Sequence, residues 1–167
     1  ESVGLGEGPD GQAWYLVLDE GDKTQHYFVP ASHLRLIPPE EYAPISPDVP
    51  SDNKYIDVNL QIQTLFCYEN DREVRRADIS SGLIGLYPTP TGTFYIQVKL
   101  PARDMHGSDR FASDEENVLS GVPWTSFFTT EGHAFHGTFW HDNFGLPMSH
   151  GCINMRTSEA NWIFRWA

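Results

Sequence analysis

The chain has 167 residues, of which 40% are hydrophobic and 13% aromatic, enough for the core of one ordinary domain and too much for wholesale disorder. Its 11 Lys and Arg against 23 Asp and Glu give a net charge of −12, which argues against nucleic acid or an anionic membrane surface as a partner. No apolar run reaches membrane-spanning length and no secretory signal opens the chain, so no membrane contact is expected within it. Glu1 is not an initiator methionine, and Trp166-Ala167 stops inside an amphipathic pattern. The sequence is therefore read as a piece of a longer protein, with any export signal outside it.

In chain order, residues 1–45 read as the tail of a small β module. Trp14–Leu18 and His26–Val29 form two strands around Asp19–Asp22, and Leu34–Ile37 follows as a further strand. Pro38, Pro39, Pro44, Pro47 and Pro50 mark a stiff linker, placed at 46–53. From residue 54 the pattern turns strongly β. Ile56, Val58 and Leu60 alternate with Asp57 and Asn59, as in a half-buried strand. Leu65–Glu69 and Val74–Ile79 flank Asn70-Asp71, a hairpin turn signal. Ser80-Ser81-Gly82 closes that strand, and Pro88–Gly92 turns the chain into a further strand through Phe94, Ile96, Val98 and Leu100. Residues 101–123 lose periodicity and read as a long functional loop or lid. Two strands are predicted at Trp124–Phe128 and His133–Thr138, then a helix opening at Thr157-Ser158-Glu159 with a Thr or Ser cap. Ala160, Ile163, Phe164 and Ala167 share one face of that helix. The fold class is mostly β, with little helix.

Chemistry concentrates at Ser149-His150-Gly151-Cys152-Ile153-Asn154-Met155-Arg156. A cysteine nucleophile needs a thiolate, a base and donors for a developing oxyanion. Gly151 permits a tight turn that brings backbone N–H groups toward a carbonyl oxygen, and His136, at a strand's end, is the candidate base. A backbone carbonyl serves as well as a carboxylate to fix the tautomer of that histidine. His150 either lines the site or holds the turn. Asn154 and Arg156 either bind a substrate carboxylate or amide, or satisfy local backbone, and Ser149 counts with the substrate-binding residues, or donates to neighbouring backbone rather than reacting. His133, His136, His141, His150 and Cys152 crowd together, but their spacing matches no usual zinc pattern and His133 and His136 on a strand point to opposite faces. No metal and no cofactor are expected. Cys67 reads as core, with a Cys67–Cys152 disulfide as the rival that would abolish a free nucleophile.

These residues resemble the L,D-transpeptidase, or YkuD, family. Its signature is a histidine, a gap, then Ser/Thr-His-Gly-Cys, an apolar residue and Asn or Arg, here His136 and Ser149–Asn154. Tyr55–Leu60, Gln63–Leu65, Ser80–Gly82 and Thr89–Phe94 extend the resemblance to roughly 52–167. It implies a YkuD-like β-sandwich catalytic domain over 54–167 with a short C-terminal helix, preceded by the SH3-like or other wall-binding remnant. By resemblance, Cys152 attacks a tetrapeptide stem before its terminal D-alanine, and a side-chain amine of a second stem resolves the thioester into a 3→3 crosslink. His136 carries the proton, the Gly137 carbonyl orients it, and backbone N–H groups around Gly151 and Cys152 hold the oxyanion. Asn154, Gly132 and Glu131, on the strand before His136, contact the donor stem, and 101–123 cover the cleft. The implied partners are donor and acceptor peptidoglycan stems and carbapenem-type inhibitors, at an extracytoplasmic site. Water in place of the amine would give an L,D-carboxypeptidase, and loss of the thiolate a wall-binding module without catalysis.

Overall fold

A computed structural model describes residues 2–18, 24–106 and 118–167. The chain divides into two compact units, Glu1–Glu40 and Glu41–Ala167. The first is a three-stranded antiparallel sheet of β1 (Ser2–Glu7), β2 (Ala13–Leu18) and β3 (His26–Pro30). Strand β1 escapes the sequence reading because two of its own residues, Gly4 and Gly6, are glycines, a third, Gly8, follows it, and its apolar alternation is broken. The strand expected at Leu34–Ile37 is irregular chain after a short 3-10 turn at Ala31–His33.

The second unit holds two sheets and one helix. Strands β4 (Lys54–Asn59), β5 (Thr64–Glu69) and β6 (Arg72–Asp78) form an antiparallel meander. Its tight turn at Asn70-Asp71 carries both residues at positive φ, 49° and 62°. That is the geometry Asn and Asp tolerate best among non-glycines. The alternation pays out as expected: Leu65 and Cys67 on β5 are fully buried. The other sheet has the order β10-β9-β8-β7, from β7 (Val98–His106), β8 (Val118–Phe127), β9 (Ala134–Thr138) and β10 (Ile153–Arg156). Here β7, β8 and β9 are antiparallel neighbours, whereas β10 lies parallel to β9.

Two readings change at this sheet. The strand expected from Phe94 begins only at Val98, and 93–97 are irregular. The long loop at 101–123 is largely a hairpin, since residues up to 106 and from 118 pair in register as β7 and β8. Charged and turn-forming residues mask the period there. The remainder of that expected lid, 107–117, lies outside the described residues.

Helix α1 (Thr157–Trp166) buries Ala160, Ile163 and Trp166. Burial of an Ile-sized side chain contributes roughly 1.5–3 kcal/mol. The helix is tied by charge to both sheets. Arg75 on β6 makes a two-pronged ion pair with Glu159, with N–O distances of 2.9 and 2.8 Å. The last-turn carbonyls receive Lys54 from β4, at 2.9 Å to Trp166 O, and Lys99 from β7, at 2.9 Å to Phe164 O. Cations at a helix C-terminus and an anion in its first turn both complement the helix dipole. The expected Thr or Ser cap is absent: Arg156 is the N-cap residue and supplies no side-chain cap bond.

The proline-rich stretch packs onto this helix. Asn161 Nδ2 donates to Glu41 O, Arg165 Nε to Ala43 O, and Ile45 N to Arg165 O. The Tyr42 ring meets Trp124 and Phe164 edge-on at 5.8 and 6.3 Å.

Replacing Glu159 by Gln leaves Arg75 half-satisfied beneath the helix. Urea unfolding should show a loss of about 2 kcal/mol, the scale of a charge-assisted hydrogen bond lost from a partly buried pair.

Candidate active site

Strand β9, Ala134–Thr138, is buried at every position and is paired along both of its edges. His136 sits at its centre with 3% exposure. Its Nδ1 lies 3.1 Å from the Gly137 carbonyl oxygen. A carbonyl only accepts, so Nδ1 carries the proton and Nε2 keeps a lone pair free to act as a base. Burial is the main cause that pushes the His136 pKa down to about 4, the Gly137 carbonyl opposing and His141 adding to the fall. The imidazole is neutral throughout the neutral range.

The parallel register brings the sequence-distant elements together. Asn154 is the direct partner of His136, and Ile153 of Phe135. Period two then places Cys152, Asn154 and Arg156 on the sheet face that carries His136 and Thr138, while Ile153 and Met155 point into the core. The Cys152 thiol lies 3.7 Å from the Gly132 carbonyl oxygen. Burial raises its pKa, and the Ala134 backbone N–H partly offsets this. Cys67 is a separate free thiol, fully buried and pushed up to about 12 by burial. Both cysteines being free, the disulfide rival does not hold.

The turn before Cys152 is built by hydrogen bonds from two directions. Ser149 Oγ donates to the Cys152 carbonyl at 2.5 Å and accepts from Gly151 N–H at 3.1 Å. The Gly151 N–H thus points at Ser149 rather than into the cleft, contrary to the oxyanion expectation for that group. Ser80-Ser81-Gly82 does more than close a strand. Ser80 and Asn154 exchange backbone bonds at 2.9 Å each, and the Ser81 carbonyl accepts from Met148 and Ser149. Gly82 comes so near that a Cβ there would stand 2.0 Å from Tyr87 O and 2.9 Å from Gly151 Cα.

His150 is exposed and turns its ring to Tyr87, at 4.4 Å, which fits the turn-holding alternative. Glu131 and Gly132 occupy the turn between β8 and β9, not the strand, and Gly132 has φ +97°. The Glu131 carboxyl is exposed and held below its usual range, first by its own backbone N–H and then by the Thr130 hydroxyl. Arg156 is exposed at the end of β10, with its guanidinium 4.9 Å from the Phe144 ring centre.

Three residues near this site were not singled out for it by the sequence. His133 is held by Thr129 Oγ1, 2.9 Å from Nδ1, and its ring edge lies against Gly151, where a Cβ would be 2.8 Å from Nε2. Trp140 stands 5.8 Å from the His136 ring. His141 Nε2 lies 2.9 Å from Asn154 Nδ2. The density of rings in 139–144 was the available signal. Among the described residues, no three His, Cys, Asp or Glu side chains gather as a metal would require.

Comparison with known proteins follows the same segment. Residues 53–167 match the L,D-transpeptidase catalytic domain family, YkuD. A curated relative from Bacillus subtilis (strain 168), YciB, which carries an L,D-transpeptidase name, is 28% identical over 134 residues, 71% of this chain and 63% of its own length. An L,D-transpeptidase from Mycobacterium smegmatis superposes with TM-score 0.61 at 26% identity, over 67% of this chain and 53% of that one. The L,D-transpeptidase LdtMt1, solved in complex with imipenem, gives 0.61 at 25% identity over the same shares. The catalytic domain of an Enterococcus faecium L,D-transpeptidase gives 0.56 at 28% identity, over 66% of this chain and 87% of that one.

Two outcomes test this geometry. Gly151 has φ +115° and abuts His133, so Gly151→Ala combines backbone strain with a clash. Turnover should fall about a hundredfold, the scale of an ångström-size misplacement. Adding His133→Ala removes the clash but not the strain, and should recover only part. For His136, the unfolded imidazole takes a proton near 6.5 and the folded one only near 4, so between these values the unfolded state binds more protons. Stability is therefore lost as pH falls from 6.5 towards 4, and thermal unfolding of His136→Asn across that window should show a flatter slope than the parent.

Proposed function

The chain belongs to the L,D-transpeptidase catalytic-domain (YkuD) family, and from that premise we propose that it is a peptidoglycan L,D-transpeptidase working through a thioester on Cys152. The observation that carries this reading is the β9–β10 register, which sets the turn of a partly exposed, unpaired cysteine beside a buried imidazole whose Nε2 is free. Both groups are neutral at rest, because burial raises the thiol and lowers the imidazole. Proton transfer then accompanies attack, when the developing oxyanion and the buried imidazolium stabilise one another.

In the first half-reaction the Cys152 sulfur bonds to the stem carbonyl carbon and its proton passes to His136 Nε2. The C–N bond to the terminal D-alanine breaks, and the same proton leaves with that amine. In the second, the side-chain amine of another stem attacks the thioester, the C–S bond breaks, and the amine proton returns through His136 to the sulfur. The product is a 3→3 crosslink. Asn154, Gly132 and Glu131 are proposed to contact the donor stem, and the three-stranded unit that ends at Glu40, within the expected 1–45, to be a wall-binding module preceding the catalytic domain. The substrate lies outside the cytoplasmic membrane, so the place of action is extracytoplasmic. No helix among the described residues is long and apolar enough to cross a membrane.

The solved LdtMt1 complex holds imipenem, which makes carbapenems suitable probes. Intact mass after incubation with imipenem should show one adduct on the wild-type chain and none on Cys152→Ala, and His136→Ala should slow acylation by at least about a hundredfold. An unmodified wild-type protein that is folded and reduced would instead favour a wall-binding module without catalysis.

A further inference from the structure

Asn154 is the residue at which β10 meets both of its neighbours. Across one edge it pairs with His136 on β9, and across the other with Ser80. Its side chain is buried, and the two ends of its amide fare differently. Nδ2 lies 2.9 Å from His141 Nε2. Oδ1 is sealed from solvent and has no hydrogen-bond partner, and neither has His141 Nδ1. A buried acceptor left in that state is costly, and native proteins keep one only for a reason.

The protons around Oδ1 narrow what that reason can be. Ser80 spends its one hydroxyl proton on Asn143 O at 3.0 Å. The Cys152 thiol is directed at Gly132 O, and the Arg156 guanidinium lies against the Phe144 ring. The remaining paired neighbour, His136, gives its Nδ1–H to Gly137 O and has no second proton at rest. It gains one when Nε2 takes the thiol proton. Oδ1 is then the negative end of an amide dipole set across the ladder from the ring on which positive charge develops.

His141, on the chain just after β9, decides which end of the amide is left for that ring. Nδ2 only donates, so a neutral Nε2 accepts from it and the His141 proton sits on Nδ1. The second Nδ2 hydrogen remains for the donor stem. A protonated His141 carries N–H on both nitrogens, so the amide must turn Oδ1 toward it and leave Nδ2 for His136. Donors and an added positive charge then oppose the imidazolium. Burial pushes the His141 pKa down from the ordinary 6.5, with Asp142 opposing, so the ring is neutral at neutral pH. The charged or titratable groups set around it are Asp142 on its own segment, His136 on β9 and Arg156 on β10, the last through Phe144, whose ring is 5.4 Å from that of His141.

We propose that His141 is a positioning residue for the reacting pair: neutral, it holds the Asn154 amide with Oδ1 toward His136, and protonated, it reverses the amide and slows thioester formation. The inference rests on the transpeptidase reading and adds an acid-sensitive control to it. The chemical step is unchanged, since the proton taken by His136 Nε2 still comes from the Cys152 thiol and leaves with the D-alanine amine.

The test follows imipenem acylation of the full chain by intact mass from about pH 4.5 to 8, with His141→Gln and His141→Phe beside wild type. Gln offers Oε1 to Asn154 Nδ2 but takes no proton. The acid midpoint of its acylation rate should therefore lie at least about half a unit below that of wild type, toward the His136 value of about 4. Phe keeps a ring without an acceptor, and at neutral pH should acylate about tenfold slower than wild type, with Gln recovering part of that loss. The same acid midpoint in wild type and His141→Gln overturns the proposal, and so does His141→Phe acylating as fast as wild type. Should the Phe variant not fold, nitrogen-15 NMR of wild type settles the point. A proton on His141 Nδ1 and a bare Nε2 are expected at neutral pH, and the opposite tautomer overturns the assigned amide orientation. No acylation of a folded, reduced wild type would sink the transpeptidase reading itself, a result separate from the tautomer of His141.

Discussion

The parallel pairing of β10 with β9 is the constraint on which the rest of the site depends. Antiparallel neighbours can be joined by a two-residue turn, but parallel ones require the chain to cross back over the sheet. Here residues 139–152 make that crossing without a helix, and they deliver Cys152 to the start of a four-residue strand. So short a strand has little pairing of its own. It is held from outside by the backbone exchange between Ser80 and Asn154 and by the acceptance of Met148 and Ser149 by Ser81. Gln63, itself 3% exposed, secures Ser81 in turn through bonds of 2.8 Å to its backbone N–H and its hydroxyl. The meander that lacks the proposed catalytic pair thus fixes the turn that presents the thiol.

Burial acts on the proposed nucleophile and base in opposite directions of charge but to one end. It raises the thiol and lowers the imidazole, so neither ionises readily alone. An ion pair held permanently in such a setting would bear a desolvation penalty comparable to its own attraction. A neutral pair avoids that penalty at rest and separates charge only as a substrate carbonyl becomes polarised. In the proposed mechanism the Gly137 carbonyl, already 3.1 Å from Nδ1, stabilises the imidazolium once formed, without reorganising.

Much of this was legible where the determining contacts are local. Asn70-Asp71, the alternation through Ile56 and Val58, and the Ser-His-Gly-Cys turn announce themselves within a few residues. Features that depend on distant partners do not. The hairpin β7–β8 hides behind charged residues that the pairing tolerates, and Ser80-Ser81-Gly82 gives no local hint that it bridges to residues 148–154. The far end of the sheet face that carries His136 is the clearest case: Arg156 lies 14 residues beyond the adjacent pair His141-Asp142, and only the fold sets the three on one open wall. His133 was weighed against a metal because it is a histidine near others, whereas its neighbour in space is a glycine, a residue with no side chain to advertise the contact.

The packing of residues 41–45 on α1 bears on where the domain can be cut. The family match begins at residue 53, and the residues with proposed chemical roles begin later still. Yet Tyr42 covers Trp124 and Phe164, Glu41 and Ala43 accept from α1 side chains, and Ile45 closes the last turn of the helix. The autonomous folding unit is therefore longer at its N-terminal side than the segment recognisable by descent. A recombinant fragment trimmed to the homologous boundary would retain every side chain the proposed chemistry requires while baring the aromatic flank of its own helix. Solubility and yield, rather than turnover, would be the first properties to suffer.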